Sequence, residues 1–357
     1  MSRTVVALTA LFLSLSACTK SAPEAGDAAA GSPEAKATKE VNLAIWANYI
    51  SPEMQEKFTK ETGIVLKISN FSSNEELLAK IQAGASGIDV AVPSDYMVDV
   101  MTKEKLLNPL DDSKIPNKSG LDPSVLHQSY DPENKFSLPY SWGTAGIAVN
   151  RALYKGEIKG WKDVLTKKEL AGKISLLDDV REVTAGALKA NGYSVNTTNE
   201  TELAKAKEML KAARPRVKMF RSDTIDALVN KEVAIAHTYS VDALQAAQKD
   251  SKIEYIIPEE GGTRSIDNLV VLKTAKNVEA AHALINFLLS QEASTSFVKT
   301  VMGGPVVTAT KAALSKELQA NNGLFPSAAV MGKLESIHDV GDATRLYDRL
   351  WTEIKTE

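Results

Sequence analysis

The chain has 357 residues, and its 45 acidic and 42 basic side chains leave a formal net charge of −3. This length exceeds what a single hydrophobic core usually supports, so we expect two domains. The sequence contains no block or stripe of basic residues, which argues against nucleic acid as a partner. The single cysteine, Cys18, leaves no pair for an internal disulfide.

The N-terminus has the layout of a secretory signal that ends in a lipidation site. Arg3 supplies the positive start, an apolar run occupies 5–15, and Leu15-Ser16-Ala17-Cys18 closes the segment. The apolar run is shorter than the roughly 20 residues that span a bilayer. The closing residues resemble a bacterial lipobox, so we predict that residues 1–18 form a lipoprotein signal and that Cys18 carries the lipid. The alternative is a chance cysteine in an ordinary signal peptide.

Residues 19–40 are rich in Ala, Gly, Ser, Pro, Glu and Lys and contain almost no large apolar side chain. Such a segment buries too little surface to offset the entropy of ordering it. We expect a flexible tether between the lipid and the folded body. The alternative, a processed pro-segment, would need a second cleavage signal, which the sequence does not contain.

Strands and helices alternate from residue 41 onward. Alternation of this kind predicts an α/β fold with mainly parallel sheets and helices on both faces. In the first unit we expect strands at 41–46, 64–68 and 88–92, with helices beginning at Ser51-Pro52-Glu53 and at the capping box Ser73-Asn74-Glu75-Glu76. In the second we expect strands at 173–177, 217–220, 233–239, 253–257 and 269–272, and helices at 182–189, 224–230, 241–248, 278–289 and 343–354.

The carboxyl ends of these strands predict the binding site, because open parallel sheets bind their ligands there. The residues at those ends are mostly aromatic or acidic. Carboxylates pair with ammonium groups, and aromatic faces attract the same cations and pack on methylene chains. The lining therefore favours a small polycation over a sugar, a phosphate or a metal ion. Its members are Trp46, Tyr49, Phe71, Ser72, Ser94, Asp95 and Tyr96 in the first unit, Asp178, Asp179, Glu182, Ser222, Asp223, Tyr239, Ser240 and Asp242 in the second, and Asp267 on the returning strand.

Each of these residues also has a structural explanation. The serines and aspartates suit helix caps, acids are common in first helical turns, and the aromatic side chains suit core packing. The functional hypothesis therefore rests on their convergence at the strand ends.

Signs of catalysis are weak. The sequence has no nucleotide-binding glycine motif and no nucleophile elbow, and its four histidines show no metal-ligand spacing. We predict no catalytic residue, no metal and no cofactor. A glycosidase pair formed by Asp179 and Asp267 is the enzymatic alternative.

A series of motifs in fixed order carries a family resemblance from residue 41 to the C-terminus. The motifs are Ile45-Trp46-Ala47-Asn48-Tyr49-Ile50, Ser73-Asn74-Glu75, Val92-Pro93-Ser94-Asp95-Tyr96, Leu138-Pro139-Tyr140-Ser141-Trp142-Gly143, Leu177-Asp178-Asp179-Val180-Arg181-Glu182, Glu260-Gly261-Gly262 with Asp267, and Asp339-Val340-Gly341. The chain resembles the bacterial spermidine/putrescine-binding proteins, the extracytoplasmic receptors of polyamine ABC importers.

The resemblance implies a two-lobed type II periplasmic-binding fold with a mobile cleft. Lobe 1 would comprise 41–144 and 267–310, and lobe 2 would comprise 145–266 and 311–357. The implied roles are an aromatic box from Trp46, Tyr96 and Tyr239, ammonium pairing by Asp179, Glu182 and Asp267, polar contacts from Ser94 and Ser222, and in Asp242 an acid of the putrescine-preferring branch.

Several positions depart from the family pattern and thin the aromatic box. Arg264 beside the hinge would repel a cation if it pointed inward, and solvent exposure is the alternative. The other departures are Ser265 and Gly304 in place of aromatic residues, Ala47 and Asn48 in place of a hydroxyl and an acid, and Ile337 in place of a glutamine common in spermidine binders.

We therefore predict a lipid-anchored periplasmic receptor, monomeric, that closes its lobes around putrescine or a spermidine-like cation and delivers it to a membrane permease. One alternative is a sensor of the same fold that signals to a membrane partner. Another is a receptor for a different small cation, such as agmatine or thiamine.

Overall fold

The structure is a computed structural model that describes residues 39–47, 49–84 and 87–356. The predicted signal with Cys18, most of the predicted tether and Asn48 lie outside these residues. No helix in the described ranges is both long enough and apolar enough to cross a membrane. The strands are β1 (Glu40–Trp46), β2 (Val65–Phe71), β3 (Val90–Ala91), β4 (Leu107–Asn108), β5 (Ser137–Asn150), β6 (Ile174–Leu176), β7 (Val217–Phe220), β8 (Ile235–Tyr239), β9 (Ile253–Ile256), β10 (Gly262–Leu272), β11 (Gly304–Pro305) and β12 (Leu334–Glu335).

The helices alternate with the strands through most of the chain. They are α1 (Pro52–Thr62), α2 (Asn74–Gln82), α3 (Asp95–Lys103), α4 (Trp161–Thr166), α5 (Val180–Ala190), α6 (Glu200–Ala213), α7 (Thr224–Val229), α8 (Ser240–Lys249), α9 (Val278–Leu288), α10 (Gln291–Val301), α11 (Lys316–Gln319), α12 (Ala328–Met331) and α13 (Thr344–Thr356).

Local capping chemistry sets the ends of the first helix, as the sequence predicts. The Ser51 hydroxyl accepts the Met54 backbone N–H at 3.3 Å, and Pro52 occupies the first helical position. Gly63 ends the helix at φ 69°, a left-handed conformation that glycine adopts without strain, and its N–H donates to the Thr59 carbonyl.

Three parallel strands form the sheet of the first lobe. β1 lies between β2 and β3, and its register pairs Glu40 with Val65 and Trp46 with Phe71. Leu43 and Ile45 of β1 pack in the cluster that contains α1 and α9, whereas Ala44 packs in the cluster that contains α2 and α3. Helices therefore cover both faces. Because β1 and β2 end together, Trp46 lies at the carboxyl edge of the sheet.

The second lobe repeats this arrangement with β8, β6 and β7, which are parallel neighbours. Trp161 of α4 packs edge-on against His237 of β8 with ring centroids 4.6 Å apart. The C-terminal helix α13 adds the fully buried Tyr347, whose hydroxyl donates to the Thr197 carbonyl at 2.8 Å. The helix predicted at 343–354 thus closes this core.

Two long strands pass between the lobes. β5 runs antiparallel to β10 from Ser137 to Thr144 and then antiparallel to β8 from Ala145 to Val149. β10 in turn pairs with β3, so the strand order is β2-β1-β3-β10-β5-β8-β6-β7. The predicted two-lobed α/β fold is confirmed, and the parallel strands of each lobe are joined through antiparallel crossover strands.

The sequence-based prediction missed β5 and placed the strand of β10 only at 269–272. β5 is almost entirely buried, but Pro139, Gly143 and Gly146 interrupt its apolar pattern. β10 starts at Gly262, directly after the turn at Pro258–Gly261, and its first half carries polar side chains. Both strands are stabilised by pairing with distant strands, which local propensity does not reveal.

Candidate ligand-binding cleft

Asp267 on β10 is the central acid of the first lobe. One carboxylate oxygen accepts the Ser94 hydroxyl at 2.8 Å, and the other accepts the Tyr49 hydroxyl at 3.1 Å. The register of β10 against β5 shifts between Asp267 and Asn268, and an isolated bridge joins Asp267 to Ser94. Burial raises the pKa of Asp267 to about 6, although both hydroxyl groups act to lower it.

Aromatic side chains pack around Tyr49, and Trp46 and Phe71 form a second aromatic pair in the first lobe. The Tyr49 ring packs edge-on against Phe297 with centroids 5.3 Å apart, and the Tyr140 hydroxyl donates to the Tyr49 carbonyl at 2.8 Å. The Trp46 ring lies 4.5 Å from Phe71, and its buried indole N–H has no acceptor among the described residues. An unpaired buried donor is costly in a folded protein and is common at functional sites.

Tyr96 and Asp95 extend the first-lobe wall from the start of α3. Tyr96 is 36% exposed, and its hydroxyl donates to Glu75 of α2 at 2.8 Å. Asp95 is buried and accepts the Tyr96 N–H at 2.9 Å and the Ile266 N–H at 3.4 Å. Burial raises the pKa of Asp95 to about 7, and the charge of Asp267 adds to this effect.

Two acids at the start of α5 form the second-lobe counterpart. Asp179 caps this helix, because its carboxylate accepts the backbone N–H of Arg181 at 2.8 Å and of Glu182 at 2.9 Å. Glu182 is buried and accepts the Thr263 hydroxyl at 2.7 Å. Burial, followed by the charge of Asp179, raises the pKa of Glu182 to about 8.

Tyr239 lies among the acids of the second lobe. Burial raises its pKa first, followed by the charges of Glu182, Asp179 and Asp242, and Tyr96 of the first lobe also contributes. Burial likewise raises the pKa of Asp242 to about 6. The side chains predicted at the strand ends therefore converge from both lobes, as parallel-sheet geometry requires.

Three residues of the predicted lining do not join this cluster. Asp178 is exposed and pairs with Lys355 at 2.6 Å, and the hydroxyl of the exposed Ser72 donates to Glu76 at 2.6 Å. The third is Ser222. It lies exposed on the turn after β7, and in the described part of the chain its side chain makes no hydrogen bond. Its neighbour Asp223 pairs with Arg221 at 3.1 Å and raises the pKa of Asp242 by its charge.

The four acids Asp179, Glu182, Asp242 and Asp267 form no ion pair with a lysine or arginine within the described ranges. The Arg181 guanidinium lies over the Tyr347 ring at 4.6 Å and donates to the His338 carbonyl at 2.9 Å. Arg264 donates to Gln128 at 3.2 Å. Both arginines thus donate to other groups, although the charge of Arg181 still acts to lower the pKa of Glu182.

Gly304 has a structural reason for lacking a side chain. A Cβ atom there would lie 2.3 Å from the Trp142 indole, whose N–H donates to the Pro305 carbonyl at 3.0 Å. Trp142 therefore fills the space beside this glycine. Ser265 pairs with Gly143 across β5 and β10, so two small residues face each other where the other family aromatic was expected.

Sequence reasoning missed Glu75 and Thr263 as partners of the site. The capping box places Glu75 and Glu76 in one helical turn, yet it is Glu76 that reaches back to the Ser72 N–H at 2.8 Å. Glu75 points to Tyr96 instead. The only sequence signal for this role was the second acid of the box.

A surface depression of about 460 Å³ lies elsewhere in the second lobe. Its charges are already engaged, since Glu260 accepts the Trp161 and Lys162 backbone N–H groups and Lys333 donates to the Glu259 carbonyl at 2.7 Å. Within the described ranges no group of three or more His, Cys, Asp or Glu could hold a metal ion. The residues around the depression are Lys159, Gly160, Lys162, Asp163, Glu259, Glu260 and Lys333.

Two α/β lobes that share two crossover strands, with acidic and aromatic side chains at their strand ends, are the architecture of a solute-binding protein. The model of the family described as bacterial extracellular solute-binding protein matches residues 53–326. The chain belongs to this family, among the spermidine/putrescine-binding periplasmic proteins.

Three relatives illustrate the likeness. The spermidine/putrescine-binding periplasmic protein of Salmonella typhimurium is 38% identical over 313 residues, which cover 87% of this chain and 90% of the relative. The solved structure of the spermidine/putrescine ABC transporter substrate-binding protein PotD from Streptococcus pneumoniae matches with a TM-score of 0.84 at 34% identity, covering 89% of this chain and 99% of that one. The TpPotD lipoprotein of Treponema pallidum matches with a TM-score of 0.81 at 30% identity, covering 89% and 100%.

Proposed function

We propose that the protein captures a polyamine, putrescine or a spermidine-like cation, between its lobes and delivers it to the permease of an ABC importer. The observation that carries this proposal is the carboxylate of Asp267, which two hydroxyl groups hold at 2.8 and 3.1 Å and no fixed cation neutralises within the described ranges. The proposal is also supported by the names of the relatives, which bind spermidine and putrescine.

In this proposal the two ends of the ligand meet acids of different lobes. One ammonium group pairs with Asp267, and the other pairs with Asp179 and Glu182. An ammonium beside Glu182 adds its positive charge to that of Arg181 and so favours the ionised form of this buried carboxyl. The methylene chain packs on the rings of Tyr96 and Tyr239. Because each lobe holds part of the ligand, binding stabilises the closed arrangement of the lobes.

Isothermal titration with putrescine, spermidine, spermine, agmatine and thiamine tests the proposal and its ligand. We expect Asp267→Asn to weaken diamine binding by about 2 kcal/mol or more, roughly 30-fold, because an ammonium is left without its charged partner. The matched control is Asp348→Asn, an exposed acid on α13 that should leave the affinity unchanged. Absence of heat with every cation would refute polyamine capture, and an unchanged Asp267→Asn affinity would refute the assigned site.

We further propose that Cys18 is lipidated and anchors a monomeric receptor to the membrane on the periplasmic side. The lipobox-like residues before Cys18 support this, as does the relative from Treponema pallidum that is named a lipoprotein. Expression of the full chain and of Cys18→Ser, followed by separation of membranes from soluble protein, tests it. The native chain should sediment with membranes and the variant should be soluble. Equal distribution of both would contradict the anchor.

A further inference from the structure

Tyr96 is a rim residue of the cleft that an acid of its own lobe holds. Its hydroxyl donates to Glu75 of α2 at 2.8 Å. A phenol has a single proton to donate. The hydrogen bond to Glu75 therefore ties the Tyr96 hydroxyl to the first lobe.

The start of α2 is built as a support for this part of the cleft. Asn74 is buried, and its side-chain oxygen accepts the backbone N–H of Ser94, the residue that also binds Asp267. The next residue, Glu75, holds Tyr96. Adjacent side chains of one helical turn thus fix the polar hydroxyl and the aromatic ring of the first-lobe wall.

The neighbouring acid shows that this orientation is specific to Glu75. Glu76 accepts the Ser72 backbone N–H at 2.8 Å and the Ser72 hydroxyl at 2.6 Å, and it pairs with Lys80 at 2.7 Å. Glu76 is thus held by its own helix turn. Glu75 makes no ion pair within the described ranges, and its carboxylate accepts the hydrogen bond of the Tyr96 hydroxyl.

We propose that Glu75 is a positioning residue for ligand binding, which keeps the Tyr96 hydroxyl on the first lobe and so holds the Tyr96 ring in the wall of the cleft. Without the Glu75 acceptor, the partly exposed Tyr96 side chain would lose the hydrogen bond that fixes its orientation. The ligand would then have to order this ring when it binds, which costs side-chain entropy and weakens affinity. The inference rests on the proposed binding of a cation in the cleft.

Three variants separate this role from direct attraction of the ligand, with putrescine and spermidine as probes in calorimetry. Glu75→Gln keeps a hydrogen-bond acceptor and should stay within about twofold of the native affinity, whereas Glu75→Leu removes it and should weaken binding about five- to tenfold. In a Tyr96→Phe background, Glu75→Leu should cause no further loss, since no hydroxyl remains to misplace. Glu76→Leu is the matched control and should leave affinity unchanged.

The opposite pattern would overturn the proposal. Equal losses in Glu75→Gln and Glu75→Leu that persist in the Tyr96→Phe background would mean that the Glu75 charge acts on the ligand itself. Native affinity in Glu75→Leu would mean that the Tyr96 contact does not matter for binding.

A ligand-free measurement distinguishes failure of this inference from failure of the proposed function. In protein labelled with 3-fluorotyrosine, the ¹⁹F resonance of Tyr96 is assigned by its loss in Tyr96→Phe. We expect this resonance to shift in Glu75→Leu and to stay in place in Glu76→Leu. An unchanged resonance in Glu75→Leu refutes the contact even if no polyamine binds.

Discussion

Replacement of Glu182 by glutamine should stabilise the ligand-free protein at neutral pH. Glu182 is buried, and its pKa rises from 4.5 to about 8 on folding, chiefly because burial disfavours the charged form. At pH 7 the unfolded chain ionises this group and the folded chain holds it protonated. This difference costs the folded state about 3 kcal/mol. Glutamine carries no such cost, and its side-chain oxygen can still accept the Thr263 hydroxyl.

The sign of this effect fixes its pH profile. A raised carboxyl pKa means that the folded state binds more protons, so the contribution of Glu182 is most favourable below pH 4.5 and worsens as pH rises towards 8. The advantage of Glu182→Gln should therefore be near zero at pH 4, grow to about 3 kcal/mol at pH 7, and level off above pH 8.

Urea unfolding of the ligand-free protein at pH 4, 5.5, 7 and 8 measures this profile. Glu133→Gln, at an exposed acid, is the matched control and should show no such trend. A constant difference between Glu182→Gln and the native protein across this pH range would refute the reasoning, as would a less stable variant at pH 7. The same variant should bind putrescine more weakly, since glutamine cannot ionise beside the bound ammonium group as Glu182 does in the proposed complex.

Further predictions concern stability. His237 is buried, and burial lowers its pKa to about 3. Protonation of the unfolded chain between pH 7 and pH 5 should therefore lower the stability of the native protein by about 2 kcal/mol relative to His237→Gln. The same stability difference between the two proteins at both pH values, measured by urea unfolding, would contradict this. Gly304→Ala should cost about 1–3 kcal/mol because its Cβ meets the Trp142 ring and the carbonyl oxygen of residue 142; the cost should fall in a Trp142→Leu background, which removes the ring and keeps the carbonyl. Asp179→Ala should cost about 1 kcal/mol through loss of the α5 cap, whereas Asp179→Asn, which keeps an acceptor, should be close to neutral in thermal unfolding.

Local chemistry made part of the fold predictable. The bounds of α1 follow from residues at its two ends. Ser51 accepts a free N–H of the first turn, Pro52 needs no N–H acceptor there, and Gly63 donates to a carbonyl of the last turn. Asp179 likewise starts α5. The placement of acids and aromatics at strand ends was also predictable, because parallel strands present their carboxyl ends at one edge.

Contacts between segments far apart in sequence could not be predicted from local chemistry. The contact of Thr263 with Glu182 spans 81 residues, and that of Asp267 with Tyr49 spans 218. Whether Ser222 faces the cluster or solvent depends on the path of the turn after β7. The spacing of apolar residues predicts strands and helices and gives no information on such a turn. β5 escaped prediction for a related reason. Pro139 pairs with β10 at the register shift between Asp267 and Asn268, and a strand tolerates a missing N–H at such an irregularity, which only the distant partner strand reveals.

The path of β10 also sets an order of assembly. Val270 and Val271 near its end pair with β3 in the sheet of the first lobe, although the strands of the second lobe precede them in sequence. A chain synthesised from its N-terminus therefore leaves this edge of β3 unpaired until about 180 residues later. The first lobe begins first and closes last, so a chain cut before residue 262 should expose an open sheet edge and self-associate.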